Sequence, residues 1–267
     1  MAKTRLQGLA ALSAMFESSQ REKRAAFMPY YPIGYPDYAS SIQNVLALSQ
    51  AGADGFEIGI PFSDPLADGP TIQAATQEAL QNGITVERCL SAVRTLREQG
   101  VTQPMMMMSY ANPLIAYGPE RFVKEACAAG ADGLIIPDLP PEESHYFAKA
   151  CEQFGLALVF FLAPTSSNKR IVLAAQQATG FIYVVSLTGI TGARAELPSD
   201  LSHLIERIRA QTTTPLVLGF GISTPEHARA INGLVDGFIV GSALVKLAKN
   251  GHQAVSDLAR TLRGALD

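Results

Sequence analysis

One short pattern recurs along the chain and constrains the fold more than any other feature. Ala51-Gly52-Ala53-Asp54-Gly55-Phe56-Glu57-Ile58 returns as Ala129-Gly130-Ala131-Asp132-Gly133-Leu134-Ile135-Ile136, and more loosely as Asn232-Gly233-Leu234-Val235-Asp236-Gly237-Phe238-Ile239-Val240. Each copy reads as a helix stopped by glycine, a tight turn, and a strand apolar on both faces. Such strands occur in parallel sheets covered by helices. Between the copies, helical patterns alternate with short apolar runs. Strands are expected at 25–31, 55–60, 104–109, 133–136, 156–162, 181–185, 215–219 and 237–240. Helices are expected near 38–51, 71–82, 119–129, 142–153, 168–177, 201–210, 224–231 and 242–249, with extra ones near 3–18, 85–99 and 252–265. Eight strand–helix units favour a closed (β/α)₈ barrel, with an open doubly wound sheet as the competing layout. No Gly-, Ser- or Pro-rich linker divides the 267 residues, so residues 1–267 are expected to form one domain.

In such a barrel the site is built from the loops that follow the strands. Those junctions carry the special residues here: 61–70, 109–113, 137–141, 163–167, 186–198, 219–224 and 241–242. The opposite junctions are the short repeated turns, so Asp54, Asp132 and Asp236 are expected to be structural. Glu57 is different. It lies among Phe56, Ile58 and Ile60, where burial disfavours its charge, and so it needs a partner or a chemical task. Asp68 follows eleven residues later, after a stretch stiffened by Pro61, Pro65 and Pro70. An acid on a strand end and another on a shaped loop can act as acid and base on one substrate. The alternative is a satisfied core ion pair for Glu57 and turn-forming roles for Asp64 and Asp68.

The last two junctions suggest an anion cradle. Gly219-Phe220-Gly221-Ile222-Ser223-Thr224-Pro225 opens a helix, with Ser223 or Thr224 as its cap, and Gly241-Ser242-Ala243 opens the next. Glycine lets backbone N–H groups approach an anion, and a helix start adds partial positive charge. Gly189-Ile190-Thr191-Gly192 is a third candidate contributor. Each glycine alone is equally a turn former. The lysines lie in predicted helices or before the first strand, which argues against a Schiff base. His145, His203, His227 and His252 stand singly on helices and are expected at the surface. What remains is carboxylate chemistry on a phosphorylated small molecule, with Tyr30, Met108, Ile135, Phe161, Tyr183 and Phe220 as candidate apolar lining.

A net charge of −3 leaves no electrostatic footprint for nucleic acid or an acidic membrane. The longest apolar runs are too short to span a bilayer, and residues 1–22 lack a signal-peptide pattern. Three cysteines without metal or disulfide spacing fit a reduced, cytoplasmic protein.

The run from Phe56 to Pro70 resembles the signature of the tryptophan synthase α-subunit family. Supporting matches are Tyr110-Ala111-Asn112-Pro113, Pro137-Asp138-Leu139-Pro140, Ala163-Pro164-Thr165, Tyr183 through Gly192, Gly219 to Ser223, and Gly241-Ser242-Ala243. The resemblance implies a TIM barrel that cleaves indole-3-glycerol phosphate to indole and glyceraldehyde 3-phosphate. It implies Glu57 and Asp68 as catalytic residues, Tyr183 packed beside them, and Gly192, Gly221, Gly241 and Ser242 around the phosphate. It further implies no cofactor on this chain and a pyridoxal-phosphate-dependent β subunit as partner in an αββα complex. A free-standing lyase and an inactive regulatory subunit are the other readings. Two positions depart from the family pattern. Tyr35 replaces the acid usual after the first strand, and Tyr30 stands where phenylalanine is common.

Overall fold

The computed structural model describes residues 5–185, 199–219 and 221–267. Eight parallel strands close into a ring in sequence order. They are β1 (Ala26–Pro32), β2 (Phe56–Gly59), β3 (Met105–Met108), β4 (Gly133–Ile135), β5 (Ala157–Leu162), β6 (Ile182–Val185), β7 (Leu216–Gly219) and β8 (Gly237–Val240). The closed layout is therefore the one adopted, and the open sheet is excluded. Around it run α1 (Leu9–Arg21), α2 (Tyr38–Gln50), α3 (Pro70–Gln81), α4 (Val86–Glu98), α5 (Ala111–Tyr117) and α6 (Pro119–Ala129). The second half adds α7 (His145–Phe154), α8 (Asn168–Gln177), α9 (Ser199–Arg209), α10 (Pro225–Ile231), α11 (Ser242–Leu247) and α12 (His252–Gly264).

The strands are apolar on both faces because one face fills the barrel and the other meets the helices; β3, four consecutive methionines, is wholly buried. Local caps set several helix starts. The side chains of Asp37, Thr85, Ser167 and Thr224 accept backbone N–H groups at the starts of α2, α4, α8 and α10. Thr224, rather than Ser223, is thus the α10 cap.

The three repeated aspartates form one structural device. Asp54 accepts from Phe27 N at 2.8 Å, Asp132 from Met105 N at 2.8 Å and Asp236 from Leu216 N at 2.7 Å. Each carboxylate thereby ties the turn before an even-numbered strand to the start of the preceding strand. Each is also paired with an arginine: Arg24 with Asp54, Arg97 with Asp132, and Arg209 with Asp236. These residues hold the end of the barrel opposite the strand-end loops.

Three expectations need correction. The first helix begins at Leu9 rather than near residue 3, because the preceding residues are used elsewhere. Arg5 pairs with Asp132, Gln7 Nε2 donates to the Cys127 and Ala131 carbonyls, and Gly8 N donates to Asp132. Residues 111–113, read as part of a strand-end junction, instead open a helix over Ala111–Tyr117, with Pro113 tolerated in the first turn where its missing N–H has no acceptor. The helix expected at 142–153 is split into a 3₁₀ turn (Pro141–Glu143) and α7.

Candidate active site

Glu57 enters the site through strand alternation. Phe56 and Ile58 face the helices, so Glu57 and Gly59 face the barrel interior. Its register partners are Tyr30 on β1 and Met106 on β3. The side chain is 3 % exposed and bonds to no described residue, so the alternative, a core ion pair, is not formed among them. Burial, and next the nearby Asp68, push its carboxyl up to about 8. At neutral pH Glu57 is therefore mainly a protonated acid.

Asp68 comes from the loop between β2 and α3. Tyr110, just beyond β3, organises that loop: its hydroxyl donates to Asp68 Oδ2 at 2.9 Å and accepts from Ala67 N at 2.9 Å. Gln73 Nε2 also donates to the Asp68 carbonyl at 2.8 Å. Burial raises the Asp68 carboxyl, and the Tyr110 hydrogen bond opposes that rise. Sequence reasoning placed Tyr110 in a motif but assigned it no task. Its sole advance sign was a tyrosine at a strand end in a junction rich in special residues.

Both acids line one cavity of about 370 Å³ at the strand ends, a size suited to a small ligand. The same cavity is lined by Gly221, Ile222 and Ser223 before α10, and by Gly241, Ser242 and Ala243 at the start of α11. Gly221 has φ +84°, a left-handed conformation that favours glycine. His227 is not a surface residue. It is buried, and its Nδ1 accepts from Ser223 N at 3.4 Å, bracing the loop that carries Gly221.

The expected apolar lining is met in part. Tyr30, Met108, Phe161 and Tyr183 line the cavity, and Phe161 stacks on Tyr183 with ring centroids 4.5 Å apart. Ile135 does not line it. That residue is wholly buried on β4, and Pro137, in the turn that follows the strand, reaches the cavity instead. Strand stagger around a barrel shifts which level of each strand meets the mouth. Ile72 and Ile239 also line it, and neither was anticipated. Gly192 and Phe220 lie outside the described residues, as does the 186–198 junction.

Fold and site together define a class: a (β/α)₈-barrel enzyme whose strand ends bring a buried and a half-buried carboxyl into one cavity with two glycine-containing helix starts. Residues 16–264 match the family model described as tryptophan synthase alpha chain. The tryptophan synthase alpha chain of Roseiflexus castenholzii is 50 % identical over 246 residues, covering 90 % of this chain and 94 % of that protein. Among solved structures, Mycobacterium tuberculosis tryptophan synthase is 36 % identical with a TM-score of 0.90, covering 96 % of this chain and 97 % of that one. Tryptophan synthase subunit alpha of Legionella pneumophila is 34 % identical with a TM-score of 0.88, covering 96 % and 98 %. The chain belongs to the tryptophan synthase alpha chain family. It is a lyase of tryptophan biosynthesis, cleaving indole-3-glycerol phosphate.

Proposed function

We propose that Glu57 and Asp68 perform the cleavage by proton transfer, with the substrate phosphate held at Gly221, Gly241 and Ser242 and, from the family resemblance, Gly192. Neutral Glu57 donates its proton to the indole carbon that bears the side chain. The ring nitrogen then carries positive charge, and Asp68 accepts a hydrogen bond from its N–H. The bond between ring and side chain breaks, and its electrons return to the ring. The Glu57 carboxylate takes the proton of the adjacent hydroxyl as that carbon becomes an aldehyde. Indole and glyceraldehyde 3-phosphate leave, and Glu57 is again protonated. One carboxyl serves as acid and then base, which suits a group with a pKa close to the working pH.

The observation that carries this reading is the shared cavity: two carboxyls with raised pKa values face helix-start amides able to hold an anionic ester. The scheme consists of proton transfers and one carbon–carbon cleavage with no net oxidation or reduction, so the chain requires no cofactor of its own in it. Family membership supports a pyridoxal-phosphate-dependent β subunit as partner, an αββα assembly and a cytoplasmic setting. Among the described residues no helix is long and apolar enough to cross a membrane.

A steady-state assay on indole-3-glycerol phosphate, with the chain alone and with a β subunit, tests the proposal. Indole and glyceraldehyde 3-phosphate should form in equal amounts, faster in the complex. No cleavage in either arm would favour the inactive regulatory role.

A further inference from the structure

Tyr30 occupies β1, between β8 and β2 in the ring, and its side chain runs from one half of the site to the other. Near its root it packs on Gly241, where a β-carbon would lie 3.1 Å from Tyr30 Cδ1. At its tip the hydroxyl rests over Gly59, where a β-carbon would lie 2.5 Å from Tyr30 Oη. Gly59 is two residues beyond Glu57 on the same face of β2, and Glu57 is itself the register partner of Tyr30. The ring thus bridges the glycine cradle and the carboxylate strand, and Gly59 makes the room for its hydroxyl.

Tyr30 lines the cavity, is 5 % exposed, and its hydroxyl bonds to no described residue. A hydroxyl in a cavity wall with no partner among the described residues is available to a polar group on a ligand, and pairing there adds to binding. Burial, then Asp68 and Glu57, hold the phenol well above its ordinary range, so it remains a donor.

We propose that the Tyr30 hydroxyl recognises the glycerol hydroxyl that the reaction leaves untouched, on the carbon between the cleaved bond and the phosphate-bearing carbon. This rests on the proposed seating of the substrate. With the phosphate against Gly221 and Gly241 and the reacting hydroxyl at Glu57, the middle carbon falls on the span that Tyr30 crosses. Tyr30 is then a specificity-determining residue for a hydroxylated triose chain. A plain phenyl ring would fill the same space without that discrimination.

The test pairs Tyr30→Phe with a substrate analogue lacking the middle hydroxyl. The analogue keeps the reacting hydroxyl and can still be cleaved, to indole and 3-phosphooxypropanal. In the parent chain, kcat/KM should favour the natural substrate by about 5- to 10-fold, the range of one neutral hydrogen bond. Tyr30→Phe should lose about that factor on the natural substrate and almost nothing on the analogue, so the preference collapses. Equal losses on both substrates, or no loss on either, would overturn the proposal. Failure of the parent chain, with its β subunit, to cleave either substrate would instead overturn the seating and the lyase mechanism beneath it.

Discussion

Glu57→Gln should lower the turnover of indole-3-glycerol phosphate by about 10²–10⁴-fold, the usual contribution of a positioned acid–base group. The amide occupies nearly the same volume in the barrel interior but can neither give the ring its proton nor take one from the hydroxyl. Phosphate binding should survive, since the cradle lies on β7–α10 and β8–α11. The same substitution has a signature in stability. Folding raises the Glu57 carboxyl from 4.5 to about 8, so between those values the native state holds a proton that the unfolded chain has released. Native stability therefore falls as pH rises through that window. The penalty is absent below about 4.5 and complete above about 8, reaching about 3–5 kcal/mol. The glutamine does not titrate. Relative to the parent, Glu57→Gln should gain stability between pH 5 and pH 9, as read by denaturant unfolding at each pH. A pH-independent difference would mean that Glu57 carries no such burden.

Asp132→Ala should have the opposite character, sparing the chemistry and weakening the fold. Asp132 is wholly buried and accepts from Arg97 Nη2 at 2.6 Å, Arg5 Nη1 at 3.0 Å, Gly8 N at 2.8 Å and Met105 N at 2.8 Å. Arg97 is itself largely buried, and that burial lowers its guanidinium to about 10 against the opposing pull of Asp132. Removing the carboxylate strands this cation and frees the N-terminal segment from the barrel floor. Breaking a buried pair in this way costs about 3–5 kcal/mol. For a chain of this size the melting temperature should fall by roughly 10 °C. The residual folded enzyme should keep its KM, because Asp132 lies at the end of the barrel away from the cavity. An unchanged melting temperature would remove Asp132 from the framework.

These two carboxylates show how much the sequence discloses. Glu57 stood out as one charge in an apolar strand, with a core ion pair as the open alternative, and Asp132 as one of three copies of a turn, so local pattern singled out both residues. The barrel was legible for the same reason, since the period of strands and helices repeats along the chain. Tyr110 could not be assigned its task, because its contact with Asp68 spans 42 residues and depends on neighbouring strands ending side by side. His227 was misplaced because a lone histidine on a short helix gives no hint that its inner face meets the Ser223 amide. Ile135 ends β4 and Pro137 lies in the turn just beyond it. Which of them reaches the cavity follows from barrel stagger, a property of the closed sheet rather than of residues 133–137. The start of α1 likewise depended on contacts more than 100 residues away.

Direct titration of the Glu57 carboxyl tests the central claim, that this glutamate is an acid kept neutral for proton delivery. Infrared difference spectra between the parent and Glu57→Gln, taken from pH 4 to pH 10, isolate its protonated carbonyl band. The band should persist through neutrality and vanish with a midpoint near 8. A midpoint near the ordinary 4.5 would contradict the account, because the group would already be ionised where it is required to give a proton.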